Sequence, residues 1–365
     1  MTTIVYAPQK MSLTALPHDC LLACLARVPY ADLRNGIPSS CKSLRDAAAS
    51  SAFRKTREAA GCAEWAVFIR DWASPLRNSF LIQASAAYRT VPGPPDPQGA
   101  TMMRLFSGRV DEVVTVQDYP AFRADAYHPL QNRWRKLAPL DCATRAFGWD
   151  DSIGQHWTCS ALGSTYIVIG CNGETTLPMD VYDASQDAWS RRPDLPFEGA
   201  PGAYSKAIEV DGKLWLYALG GHLQETFVYD PATQIWTAGP RLPRDLYDAE
   251  GVDWHFTAFE LRKRFCLMAC FQLPPDDVRY LAFIWDPIRE AWDEAPFPVP
   301  PVIALRGDSI DNNLIASGYI ESSDPTGPMK TARLFVLRPG SSDWDERRVP
   351  DELDRATQIA AVRLG

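Results

Sequence analysis

Along most of the chain, apolar residues come in short runs broken every few positions by Asp, Gly or Pro. That grammar predicts brief strands joined by tight turns. Three stretches repeat it closely: DVYDASQDAW ending at Trp189, FVYDPATQIW at Trp236 and FIWDPIREAW at Trp292. DAYHPLQNRW, ending at Trp134, and FVLRPGSSDW, ending at Trp344, are looser copies. The five tryptophans are spaced by 55, 47, 56 and 52 residues. A Leu-Pro, Phe-Pro or Val-Pro turn follows four of them, at Leu195, Leu242, Phe297 and Val349. A second apolar run precedes each of the last four: STYIVIG, KLWLYALGG, FCLMAC and NLIASG. The unit therefore reads as four antiparallel strands in about fifty residues. One such sheet cannot bury both faces, so the copies must stack around an axis as a β-propeller.

Residues 65–92 predict a sixth blade, with Tyr88 in the tryptophan position 46 residues before Trp134; five blades is the alternative. The run TQIAAVRL (357–364) is a first strand with no unit after it. It is expected to pair with the first blade and close the ring, which removes the exposed edges. The N-terminal part follows a different period. LPHDCLLACLARVPYADL sets Leu21, Leu22, Leu25 and Val28 on one helical face, with Pro17 at its start and Pro29 at its end. Ser39 or Ser40 is expected to cap a second helix, CKSLRDAAASS, and a third closes at Gly61. The expected divisions are a disordered 1–11, a helical module over 12–60 and a propeller over 61–365.

The diglycine at Gly220-Gly221, the Tyr-Asp pairs and the tryptophan order resemble kelch repeats. Leu16-Pro17, Leu21-Leu22, Leu25, Val28-Pro29, Cys41-Lys42 and AFRKTREAAGCAE resemble the F-box of plant-type F-box/kelch proteins. Gly36 and Pro38 fall where that family runs a continuous helix, and Leu44 stands where it usually has Trp. The resemblance implies an all-β kelch-type propeller preceded by a small all-α F-box. It also implies a substrate-recognition subunit of an SCF (Skp–cullin–F-box) ubiquitin ligase. Its partners would be the Skp adaptor, the cullin-RING ligase core and a protein target. The adaptor contacts it implies are Leu16, Pro17, Leu21, Leu22, Leu25, Val28, Leu33, Cys41 and Leu44. A kelch scaffold with a vestigial F-box is the alternative reading, and a propeller enzyme or small-molecule sensor the third.

Charge is uneven. Residues 1–60 hold eight Lys+Arg and four acids, a net of +4, so the remainder carries −8 − 4 = −12. An acidic propeller argues against nucleic acid, which is bound through Lys/Arg contacts to phosphate. The run MTTIVYAPQKMS lacks the pattern of a secretory signal, and no segment has the apolar length of a membrane span. A cytoplasmic or nuclear protein that meets no membrane is expected. Nine cysteines without knuckle spacing read as buried, reduced thiols. No P-loop, GxGxxG, HExxH or GxSxG occurs, so no enzyme activity, metal or cofactor is expected. Recognition is left to the irregular stretches 141–156, 244–255, 272–280 and 320–331. Trp149, Asp150, Asp151, Tyr247, Asp248 and Trp254 in the first two would form an acidic, aromatic mouth for a basic peptide.

Overall fold

The computed structural model describes residues 16–36, 40–48, 50–71, 79–83, 88–94, 103–107, 112–117, 123–140, 158–163, 165–169, 177–195, 204–219, 225–246, 253–273, 277–322, 329–347, 349–350, 353 and 357–364. Four short helices come first: α1 (His18–Ala26), α2 (Tyr30–Gly36), α3 (Lys42–Ala48) and α4 (Ser51–Ala59). Six four-stranded antiparallel sheets follow, each a blade of one β-propeller. The sixth blade built around Tyr88 is present, and the five-blade alternative falls.

The inner strands, in blade order, are Thr357–Leu364, Met103–Ser107, Thr158–Leu162, Tyr204–Val210, Asp253–Leu261 and Ile303–Ile310. Each neighbours the next around the axis, and the sixth returns to the first. Thr357–Leu364 pairs with Glu64–Asp71 along its full length, from Glu64↔Leu364 to Asp71↔Thr357. The chain's last strand is thus the inner edge of its first blade.

Buried apolar residues fall into six clusters, one in each seam between blades. The period-fifty tryptophans sit in these seams by a repeated device. Four outer strands pair their Trp with an aromatic on the third strand: Trp134↔Tyr127, Trp189↔Tyr182, Trp236↔Tyr229 and Trp292↔Trp285. The ring centroids of these pairs are 5.1–5.4 Å apart. Two residues earlier, Asn132, Asp187, Gln234 and Glu290 adopt positive φ, which turns the chain so that the indole faces inward. Each indole N–H then donates to a carbonyl of the preceding blade. Trp134 reaches Pro92 (2.6 Å), Trp189 Ala138 (2.8 Å), Trp236 Pro193 (3.3 Å), Trp292 Arg241 (2.7 Å) and Trp344 Pro298 (2.7 Å). Five regularly spaced tryptophans thereby fasten five of the six seams.

Arginines fasten two of those seams in the opposite direction. Arg89 donates to Asn132 Oδ1 (2.8 Å), which also accepts from Tyr127 OH. One blade on, Arg135 grips Glu112 in a bidentate pair and donates to Tyr182 OH (3.2 Å), whose proton goes to Asp187.

The strands of a blade define two ends. First-to-second and third-to-fourth connections are tight turns at one end, here called the hairpin end. Asp211-Gly212, Arg262-Lys263 and Asp311-Asn312 are two-residue turns with both φ positive, the form that matches strand twist. The longer connections leave from the opposite end, and most lie outside the described residues.

Candidate functional site

Local sequence explains the four helices. Leu21 N–H bonds Pro17 O at the start of α1, and Leu33 N–H bonds Pro29 O, so Pro29 opens α2 as well as ending α1. The sequence pattern predicts only the stop, and α2 is a further helix. Cys41, not Ser40, immediately precedes α3, and Ser39 lies outside the described residues. The serine that caps is Ser50, whose Oγ accepts from Phe53 N–H at 3.1 Å and opens α4.

One arginine ties this module together. Arg57, 1% exposed, donates through Nη1 to Val28 O (2.7 Å) and Ala26 O (3.3 Å), and through Nη2 to Cys62 O (2.6 Å) and Glu64 (3.2 Å). Glu64 opens the first blade's second strand and also accepts from Tyr30 N–H (2.8 Å). Tyr30 OH accepts from Arg89 (3.2 Å), which donates to Pro129 O in the second blade (2.8 Å). A continuous apolar cluster runs with these bonds from Leu21, Leu25 and Phe53 to Phe68, Leu81, Tyr127 and Leu364. The helices therefore sit at the hairpin end of blades one and two. The irregular loops leave the far end.

The nine residues expected at the adaptor contact divide. Leu21, Leu22, Leu25 and Leu33 are buried, between 3% and 8% exposed. Leu16, Val28 and Leu44 are half-buried against the same cluster, while Pro17 and Cys41 are exposed. The stripe read from the sequence as partner-facing thus points largely into the protein's own core, because the helices are too short to bury it elsewhere. His18, Asp19, Cys20 and Cys24 make up the exposed face of α1.

Of the residues expected to hold a target, Trp149, Asp150, Asp151, Tyr247 and Asp248 lie outside the described residues. Trp254 is in the inner strand of blade five, in register with Phe271. Nearer the axis, Lys206 donates to Thr257 Oγ1 (3.1 Å), Ala258 O (3.3 Å) and Gly307 O (2.9 Å), so one ammonium joins the inner strands of blades four, five and six. Any side chain at Gly307 would collide with Thr257, at 2.7 Å from its methyl carbon. Burial lowers the Lys206 pKa to about 8, against the pull of Asp308. Between that value and the unfolded lysine's ~10.4, the unfolded chain holds more protons than the folded one. Stability should therefore rise with pH across that window and be insensitive to this group below it. Urea midpoints from pH 7 to 10.5 check this, and Lys206→Met should remove the rise.

The thiols correct one expectation. Cys159, Cys266 and Cys270 are buried, but Cys20, Cys24 and Cys41 are exposed and Cys62 is intermediate; none of these seven is in a disulfide. The exposed three belong to the helical module, which lacks the interior to enclose them. Burial pushes Cys266 up to about 12 and Cys270 to about 11, whereas a hydrogen bond from Ser43 lowers Cys41. Among the described residues, no group of three or more His, Cys, Asp or Glu is arranged to hold a metal ion. No helix among them is long and apolar enough to cross a membrane.

No protein-family model matches the chain. Individual relatives do. An F-box/kelch-repeat protein of Arabidopsis thaliana is 23% identical over 252 residues, 61% of this chain and 52% of its own length. Kelch-like protein 35 of Mus musculus is 27% identical over 120 residues, 33% of this chain and 19% of its own. The kelch repeat and BTB domain-containing protein 8 of Danio rerio is 30% identical over 89 residues, 21% of this chain and 15% of its own. The chain thus spans about half or less of these relatives. With six blades of the repeat described above, the propeller is of the kelch type, and the helices before it are compatible with an F-box.

Proposed function

We propose that the chain is the substrate receptor of an SCF-type ubiquitin ligase. Its helices would dock on the Skp adaptor and so reach the cullin-RING core, and its propeller would hold the target protein without catalysing a reaction itself. The observation that carries this reading is the bonded seat of the helical module. Arg57, Glu64, Tyr30 and Arg89 hold it at the hairpin end of blades one and two, opposite the irregular loops. A receptor needs that polarity, with the ligase at one end and the target at the other. The F-box/kelch relative supports the same assignment. Such a protein would work in the cytoplasm or nucleus.

In this reading Leu21, Leu22, Leu25 and Leu33 shape the module from within. Adaptor contact falls to Leu16, Pro17, Val28, Cys41 and Leu44, with the exposed face of α1 beside them. The acidic, aromatic residues Trp149, Asp150, Asp151, Tyr247, Asp248 and Trp254 are proposed to take a basic segment of the target. One observation favours the alternative of a scaffold with a vestigial F-box: the module's apolar face is already satisfied inside the chain.

Mixing the full chain with a purified Skp adaptor separates the two. Binding at micromolar concentration is expected, with about a tenfold loss in Pro17→Asp/Cys41→Asp at unchanged thermal stability. A chain that folds yet shows no binding would rule out the receptor role and leave the scaffold.

A further inference from the structure

The seam between blades five and six opens into a cavity of about 680 Å³, lined by residues from the hairpin ends of both. Its floor is apolar: Leu261, Ile284, Phe297, Leu314 and Leu337. That combination of volume and lining suits a small organic ligand. Three arginines and two acids, Asp293 and Glu294, also line it, a net of +1.

The arginines are not equivalent. Arg264 donates to Trp285 O at 3.0 Å and lies within 4 Å of both Asp286 and Asp293. Arg338 pairs with Asp345 at 3.3 Å. Arg262 has no carboxylate within 4 Å among the described residues, and its side chain is exposed at the cavity. Arg264 and Arg289 already engage Asp293.

Arg262 is also held at a conformational cost. It and Lys263 form a hairpin turn with φ of 52° and 61°. Equivalent turns in blades four and six are Asp211-Gly212 and Asp311-Asn312, residue types that reach positive φ more readily. Lys263 reaches Asp211 of the neighbouring blade at 2.9 Å, which gives it a contact inside the protein. Arg262 has none to offset the strain, and strained residues of this kind gather where a ligand is held.

We propose that this cavity binds an amphipathic carboxylate: an aliphatic or aryl-alkyl body on the leucine- and phenylalanine-lined floor, its carboxylate on the Arg262 guanidinium. The planar fork of arginine suits two parallel bonds to a carboxylate. Arg264 and Arg338 are engaged by Asp286, Asp293 and Asp345, so Arg262 is the lining arginine left to receive an anion. This site is separate from both the helical module and the loop end, so it stands whether or not the receptor reading does.

The test is calorimetric titration of the full chain with octanoate and 4-phenylbutyrate, each beside its primary amide and its amine. A charged hydrogen-bonded contact corresponds to about tenfold or more in affinity, so each carboxylate should outbind its amide by that factor. Arg262→Asn suits positive φ and should fold at least as stably, yet it should bring carboxylate and amide to parity. Equal binding of carboxylate and amide by the unaltered protein would overturn the proposal. Tighter binding of the amine, undiminished carboxylate affinity in Arg262→Asn, or no carboxylate binding up to millimolar concentration would do the same.

Discussion

A chain ended before Thr357 should lose most of its folding stability, although it would keep every other strand of all six blades. The missing segment spans a complete inner strand, and Ile359, Ala360, Ala361, Val362 and Leu364 are all buried. Burial of the Ile, Val and Leu side chains alone is worth about 5–9 kcal/mol, comparable to the whole stability of many domains. Its loss also frees the inner edge of Glu64–Asp71 and removes one donor to Asp308, which accepts from Ala361 N–H at 2.8 Å. The truncated chain should show a broad, early thermal transition by circular dichroism and form aggregates through the opened edge. A synthetic peptide of residues 357–364 added in trans should restore part of the transition. A melting temperature equal to that of the intact chain would show that the ring does not depend on this strand.

Trp236→Ala should cost ~3–5 kcal/mol, the range for deleting a large buried aromatic. Trp236 is 8% exposed, lies tilted against Tyr229 with ring centroids 5.2 Å apart and bonds the preceding blade through Pro193 O. Trp236→Phe keeps most of the apolar volume and forfeits the indole bond, so about 1 kcal/mol of further loss beyond the size change is expected. Urea unfolding followed by fluorescence of the remaining tryptophans measures both. Trp134, Trp189, Trp292 and Trp344 are only partly buried, and their replacement should cost less.

The propeller was legible because its signal is repeated. A tryptophan every fifty residues with a turn before it must do the same thing each time, and five such residues locate five seams. The first blade was fainter because Tyr88 replaces the indole; it is 44% exposed, its register partner is Ile82, and its aromatic contact is edge-on with Phe80 at 6.1 Å. Helical details were less legible for physical reasons. Pro29 stops one helix and starts another, two roles that a single residue does not distinguish. Leu21, Leu22 and Leu25 form an amphipathic stripe whether they face a partner or their own core, and only the tertiary arrangement decides between the two. The cavity between blades five and six has no signature in the hydrophobic pattern. Its one trace in the sequence is the turn Arg262-Lys263, where the neighbouring repeats have Asp-Gly and Asp-Asn.

The seat of the helical module has a consequence for biosynthesis. Its apolar floor includes Ala360, Val362 and Leu364 from the strand that reaches the ribosome exit after all the other blade strands. The helices emerge before the blades but find a complete surface only once that strand has arrived. Nascent chains that stall, or that are cut short by a premature stop, would carry a helical module with nowhere to settle. Order of synthesis would then act as a proofreading step, reserving the settled module for chains translated through the sixth blade and beyond.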